Sequence, residues 1–135
     1  MTVVDASALV ELLTPASALR AKIIATLPPS GIPWRSPDVV HFEVFSALRR
    51  RTLRGELTAA AGAHTLVQLR RLPIETASTA PLLQAAWLLR DRCSSADALY
   101  AVLAQRTDEP LLTTDAGLAR AAAAVGVDVL SLHDG

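Results

Sequence analysis

The chain has 135 residues and a single cysteine, so Cys93 has no internal partner for a disulfide. It has no charge-free apolar run of the roughly 18 residues that a membrane span needs. From Met1 the sequence runs straight into a strand pattern at Val3-Val4, without the basic and then apolar regions of a signal peptide. The expected setting is therefore the reducing cytoplasm, with no membrane association. Net charge is also missing, since 13 basic residues balance 13 acidic ones. Such a protein cannot gather polyanions through its overall field, which excludes a histone-like or polybasic-tail protein. Zinc spacing is missing too: His41, His64, His133 and Cys93 are scattered, with no C-x-x-C or H-x-x-x-H pattern. The histidines read as surface or satisfied core residues, and Cys93 as a small buried hydrophobe.

What is present is apolar. A hydrophobic share of 51% and a mean hydropathy of +0.34 suffice for one sizeable core, so residues 1–135 are expected to form a single domain. The two breaker-rich places, around Pro28-Pro29 and at Leu72-Pro73, are short enough to be loops. Strands are expected at Val3-Val4, 72–75, 110–114 and 127–132. Helices are expected over 6–13, 16–26, 37–53, 57–71, 79–92, 96–105 and 116–124. For the third of these, Ser36 reads as an N-cap and Pro37 as the first helical residue. Short apolar strands separated by helices give an α/β class: a three-layer sandwich, a small parallel sheet with helices on both faces. Polar groups that do chemistry in such a sheet collect beyond the carboxyl ends of the strands, where strand order reverses.

Two aspartates stand at such ends. Asp5 follows Val3-Val4, and Asp115 follows Leu111 to Thr114. Singly, each is explained as a helix N-cap, and Asp97 in Ser94-Ser95-Ala96-Asp97 as the acid of a capping box. Glu43 is harder to dismiss. On a helical wheel it falls between the apolar arc of Val40, Val44, Ala47 and Leu48 and the side that carries Arg50. An acid on that shoulder snorkels outward, pairs with an arginine, or points into a cleft. Taken together, Asp5, Glu43, Asp97 and Asp115 can converge at one end of the sheet, where four partly desolvated charges would repel one another. Cations must then intervene, and an all-carboxylate set selects a hard ion, Mg2+ or Mn2+.

The stretches Val3-Val4-Asp5-Ala6-Ser7-Ala8-Leu9, Pro37 to Val44, Ala96-Asp97-Ala98-Leu99-Tyr100 and Leu111 to Leu118 resemble, in order and spacing, the motifs of PIN-domain ribonucleases. The subgroup they resemble is the VapC toxins of bacterial toxin-antitoxin pairs, over essentially the whole chain. The resemblance implies a PIN fold and an acidic, metal-binding catalytic centre at Asp5, Glu43, Asp97 and Asp115. Ser7 and Thr113 become supporting hydroxyls. It implies Mg2+ or Mn2+, as one or two ions, in an endoribonuclease that leaves a 5'-phosphate and a 3'-hydroxyl. It further implies a homodimer and a VapB-like antitoxin that obstructs the acids. Glu11 and Asp91 have no counterpart in the motifs; Glu11 reads as a helix-face residue and Asp91 as an ion-pair partner of a nearby arginine.

An RNase of zero net charge must hold its RNA locally. Arg49, Arg50 and Arg51 follow Glu43 on one helix and are the candidate phosphate contacts, although cations at a helix end also suit its dipole. With aromatics at 4% there is little for base stacking, so recognition through RNA shape and a short exposed sequence is expected. Trp34 in the proline loop reads as exposed, and Trp87 and Tyr100 as core or dimer-interface residues. The competing classes are a non-catalytic PIN-fold protein-binding module and a PIN nuclease with an RNA-processing or DNA role. A phospho-acceptor receiver lacks its strand-end lysine, since Lys22 is the only lysine and lies in a helix. An aspartyl phosphatase lacks its second acid in Asp5-Ala6-Ser7.

Overall fold

The computed structural model describes residues 1–132, so His133 lies outside the described residues. Five strands, β1 (Val3–Val4), β2 (Trp34–Pro37), β3 (Ile74–Ala77), β4 (Leu111–Thr113) and β5 (Val129–Ser131), form one sheet in the order β3-β2-β1-β4-β5. All neighbouring pairs are parallel. The helices are α1 (Ala6–Leu12), α2 (Arg20–Thr26), α3 (Val39–Leu53), α4 (Ala59–Arg71), α5 (Leu83–Trp87), α6 (Ser95–Thr107) and α7 (Ala116–Ala124). They make two layers: α1 packs on α2 and α3, and α3 on α4, while α6 packs on α5 and α7. Right-handed crossovers account for the split, because the chain first travels from β1 toward β3 and then returns past β1 to β4 and β5. No helix among the described residues is long and apolar enough to cross a membrane.

Strand order reverses at β1, and the register there positions the site. Val3 pairs with Leu111 and Val4 with Leu112, so Asp5 and Thr113 arrive side by side at the carboxyl end. Val3, Val4, Leu111 and Leu112 are fully buried because both faces of the sheet are covered. Against one face lies α6, whose residues Ala98 to Leu103 and Ala104 are all buried. A helix that is apolar all round fits only where neighbours enclose it, and α6 touches β1, β2 and β4 as well as α5 and α7.

The structure corrects the reading of residues 34–37. They are β2, not a loop and a helix start, and α3 begins at Val39. Trp34 is therefore buried, at 8% exposure, and pairs with Ile74. The parallel ladder explains the local sequence. Arg35 N donates to Thr2 O, and the next donor along β2 should be residue 37, which is proline and has no N–H. The buried Ser36 hydroxyl takes over and donates to Val4 O at 2.5 Å.

Other boundaries moved for local reasons. Residues 14–19 turn instead of starting α2, because the Ser17 hydroxyl donates to the Glu11 carboxylate and accepts the Leu19 N–H at 3.1 Å. The expected 79–92 helix is a 3₁₀ turn at Ala80–Leu82, then α5, then residues whose N–H groups bond three positions back, such as Leu89 to Ala86. Trp87, on this short element, is 66% exposed and so is no core residue, and Cys93 is only half-buried. Asp91 is exposed and enters no ion pair among the described residues.

Replacing Ser36 by alanine leaves the buried Val4 carbonyl without its donor. Stability should fall by about 1–3 kcal/mol. Urea unfolding measures it, and a variant as stable as the parent would show that Ser36 does not complete the ladder.

Candidate active site

The site begins with Asp5, which is 4% exposed. As N-cap of α1 its Oδ1 accepts the Ala8 N–H at 2.9 Å. The capping role read from the sequence is therefore real, and it uses only part of the carboxylate. The Ser7 hydroxyl lies 2.8 Å from both Asp5 oxygens, and the Thr113 hydroxyl donates to Oδ2 at 2.6 Å. Each hydroxyl also accepts from the loop after β4: Ser7 from Thr114 N–H at 3.1 Å, and Thr113 from Asp115 N–H at 2.9 Å. An ionised carboxylate only accepts, so the hydroxyl protons must point at Asp5 and leave oxygen lone pairs for the backbone. The two hydroxyls thus tie Asp5 to the loop that carries Asp115.

Asp115 caps α7 through Oδ1, which takes Gly117 N–H at 2.8 Å and Leu118 N–H at 3.3 Å. Glycine permits this close approach, since a side chain on residue 117 would stand 3.2 Å from the same oxygen. Asp97 starts α6, where the Ser94 hydroxyl accepts the Asp97 N–H at 3.1 Å. Glu43 projects from the middle of α3 and is half-buried, on the shoulder the wheel gave it. Its Oε1 accepts from the Tyr100 hydroxyl at 2.7 Å.

The charges of neighbouring acids bear on Asp5 and Asp97. Burial pushes the Asp5 carboxyl up to about 6, against the pull of its hydrogen bonds from Thr113, Ala8 and Ser7, and the Asp115 charge adds to the rise. Burial also raises Asp97 to about 6, with further upward pressure from the charges of Asp115 and Glu43. Burial raises Glu43 as well, while Tyr100 and the Arg50 charge pull it back. No three Asp, Glu, His or Cys side chains among the described residues stand close enough together to grip an ion. The acids are electrostatic neighbours rather than a finished ligand set. Their chemistry nonetheless suits a hard divalent cation: every donor is an oxygen, and among the described residues no protein donor reaches Glu43 Oε2 or Asp115 Oδ2.

A cleft of about 500 Å³ opens beside the acids, lined by Ser7, Glu43 and Asp115 together with Arg50, Arg51 and Arg54. The arginine run divides here. Arg49 instead lines an apolar groove with Phe45, Leu53 and Leu66. Arg51 lies 3.6 Å from Glu11, which also lines the cleft, so Glu11 is more than the helix-face residue expected. Two participants escaped the sequence: Glu11, whose signal is its place one helical turn beyond Ser7, and Tyr100, which reads as plain core until its hydroxyl is placed.

Comparison with known proteins agrees with this geometry. The PIN domain family model matches residues 2–124, and the chain belongs to that family. Solved structures give the same fold. VapC20 of Mycobacterium tuberculosis, a sarcin-ricin loop cleaving toxin, superposes with a TM-score of 0.70 at 18% identity, covering 94% of this chain and 96% of that one. A protein of Pyrobaculum aerophilum does so with a TM-score of 0.70 at 23% identity, covering 96% and 83%. Ribonuclease VapC3 of M. tuberculosis is 41% identical over 123 residues, which is 88% of this chain and 85% of the relative. Ribonuclease VapC12 of the same organism is 34% identical, over 89% and 91%. Within the PIN-domain family this chain is a ribonuclease of the VapC type.

The acid pKa values set a pH dependence. Asp5 and Asp97 ionise near 3.8 in the unfolded chain and near 6 in the fold, so between about pH 4 and pH 6 the folded state binds more protons. Stability contributed by these groups is therefore full below about pH 4 and is lost as pH rises through 6. In EDTA, Asp97→Asn should raise the Tm at pH 7.5 by a few degrees, with little change at pH 4. An equal change at both pH values, by scanning calorimetry, would mean that burial and the neighbouring acids do not raise the Asp97 carboxyl.

Proposed function

We propose that this chain cuts RNA phosphodiester bonds as an endoribonuclease toxin, using one or two Mg2+ or Mn2+ ions held by Asp5, Glu43, Asp97 and Asp115. The observation that carries this reading is that Asp5 and Asp115, at the carboxyl ends of β1 and β4, and Asp97 and Glu43, on α6 and α3, face one cleft edge closely enough for their charges to couple in pairs, with Asp5 and Asp97 both pushed up to about 6. Burial and, after it, the neighbouring acids disfavour the charged carboxylates, and a bound cation would offset both. When bound, the ion supplies Lewis acidity to the phosphoryl group and to water. The residues do the rest. Ser7 and Thr113 orient Asp5, the α7 backbone fixes Asp115, and Asp97 enters from α6 with Glu43 opposite on α3. Arg50 and Arg54, in the same cleft, hold backbone phosphates beside the acids.

The partners follow from the VapC family: a VapB-like antitoxin that covers the acids, and a second copy in a homodimer, in the cytoplasm. Exposed apolar side chains support association, among them Phe42 at 68%, Trp87 at 66% and Leu88 at 74%.

Purified protein freed of antitoxin should cut total cellular RNA at discrete places with Mn2+ or Mg2+ and not in EDTA. Asp5→Asn and Asp97→Asn should each lower the rate at least about 100-fold while remaining folded. Cleavage that persists in EDTA, or at the parent rate in both variants, contradicts the metal-dependent reading.

The division of the arginines gives a second test. Arg50→Ala should weaken binding of the uncleaved RNA in EDTA and lower the salt slope of its affinity by about one unit, while Arg49→Ala leaves both unchanged. Equal effects from the two variants would place the RNA along the whole helix end instead of in the cleft.

A further inference from the structure

Tyr100 is the one tyrosine in the chain, and it is 1% exposed on α6. Packing explains its ring but not its hydroxyl, since phenylalanine would fill the same space and spare a buried polar group. The hydroxyl is instead spent on Glu43, to which it donates at 2.7 Å. Tyr100 follows Asp97 by three positions, so the two lie on one face of α6. One hydroxyl, carried on the helix of Asp97, therefore reaches across to the helix of Glu43.

Glu43 needs such a hold more than the other acids do. Backbone N–H groups cap Asp5 and Asp115, and Asp97 sits at a capped helix start. Glu43 stands mid-helix on a long side chain; among the described residues no backbone N–H bonds its carboxylate, and the Arg50 charge acts on it as a competitor. We propose that Tyr100 is a positioning residue: its hydroxyl holds Glu43 Oε1 away from Arg50 and keeps the Glu43 carboxylate where it would help hold a divalent cation. This rests on the metal-dependent reading above.

Because tyrosine occurs once, protein labelled with ζ-13C tyrosine gives a single resonance that reports on this hydroxyl in the unaltered chain. Titration with Mg2+ should shift that resonance to saturation, with the dissociation constant that calorimetry gives for the same ion. Tyr100→Phe should keep its cooperative unfolding and bind Mg2+ about 10–100-fold more weakly. Adding Glu43→Gln to Tyr100→Phe should cost little beyond Glu43→Gln alone, because both act through one carboxylate. A resonance that saturating Mg2+ leaves in place overturns the proposal, even where the phenylalanine variant fails to fold. Weakened binding in Glu43→Gln with parent-like binding in Tyr100→Phe overturns the role of Tyr100 alone. A parent protein that binds no Mg2+ removes the metal-dependent reading and this proposal with it.

Discussion

The Asp5 carboxylate is the constraint around which the rest is arranged. It is buried at the switch point of the sheet and is held by the Ser7 and Thr113 hydroxyls and the Ala8 amide. A buried charge without such donors would be costly. Meeting the need fixes several things at once. The register of β1 on β4 must bring Thr113 level with Asp5, α1 must start at Ala6, and the loop after β4 must lend its N–H groups to the two hydroxyls. That loop then delivers Asp115 to the same edge. The core under the site is correspondingly plain: Val3, Val4, Leu111 and Leu112 between helices, with the small residues of α6 allowing close approach.

The hydrogen bonds do not fully offset the cost of burial. Asp5 remains raised despite three of them, and Asp97 is raised by burial and by its acidic neighbours. The fold thus keeps an electrostatic conflict that apolar residues at the same positions would remove. Such a conflict is what the proposed cation would relieve, and perturbed groups of this kind collect where function needs them. Tyr100 and Glu11 belong to the same economy of placement: each holds a charged partner, Glu43 or Arg51, that would otherwise be free to pair elsewhere.

Much of this was legible in the sequence because the strand-helix junctions are short and sharply patterned. Val3-Val4 before Asp5 and Leu111 to Thr114 before Asp115 announce both strands and both caps, and the wheel placed Glu43 on its shoulder. The α/β class and the position of the acids followed. The failures have physical causes. Ser36-Pro37-Asp38 carries the residues of a helix start, yet Pro37 ends a strand whose missing donor Ser36 supplies, a substitution visible only once β1 lies alongside. Trp34 went inside with that strand. Tyr100 looked like core because its ring is core; the role of its hydroxyl depends on a residue 57 positions away. Arg49 and Arg50 are adjacent in sequence, and only the packing of α4 on α3 separates the faces they serve.

The central claim, that a cation binds where burial and neighbouring acids have raised Asp5 and Asp97, is tested most directly by calorimetry of Mg2+ binding in buffers of different ionisation enthalpy. At pH 6, where Asp5 and Asp97 are each partly protonated, binding should release about one proton and its apparent heat should vary with the buffer. At pH 8 that variation should vanish. Binding whose heat is independent of buffer at pH 6 would contradict the account.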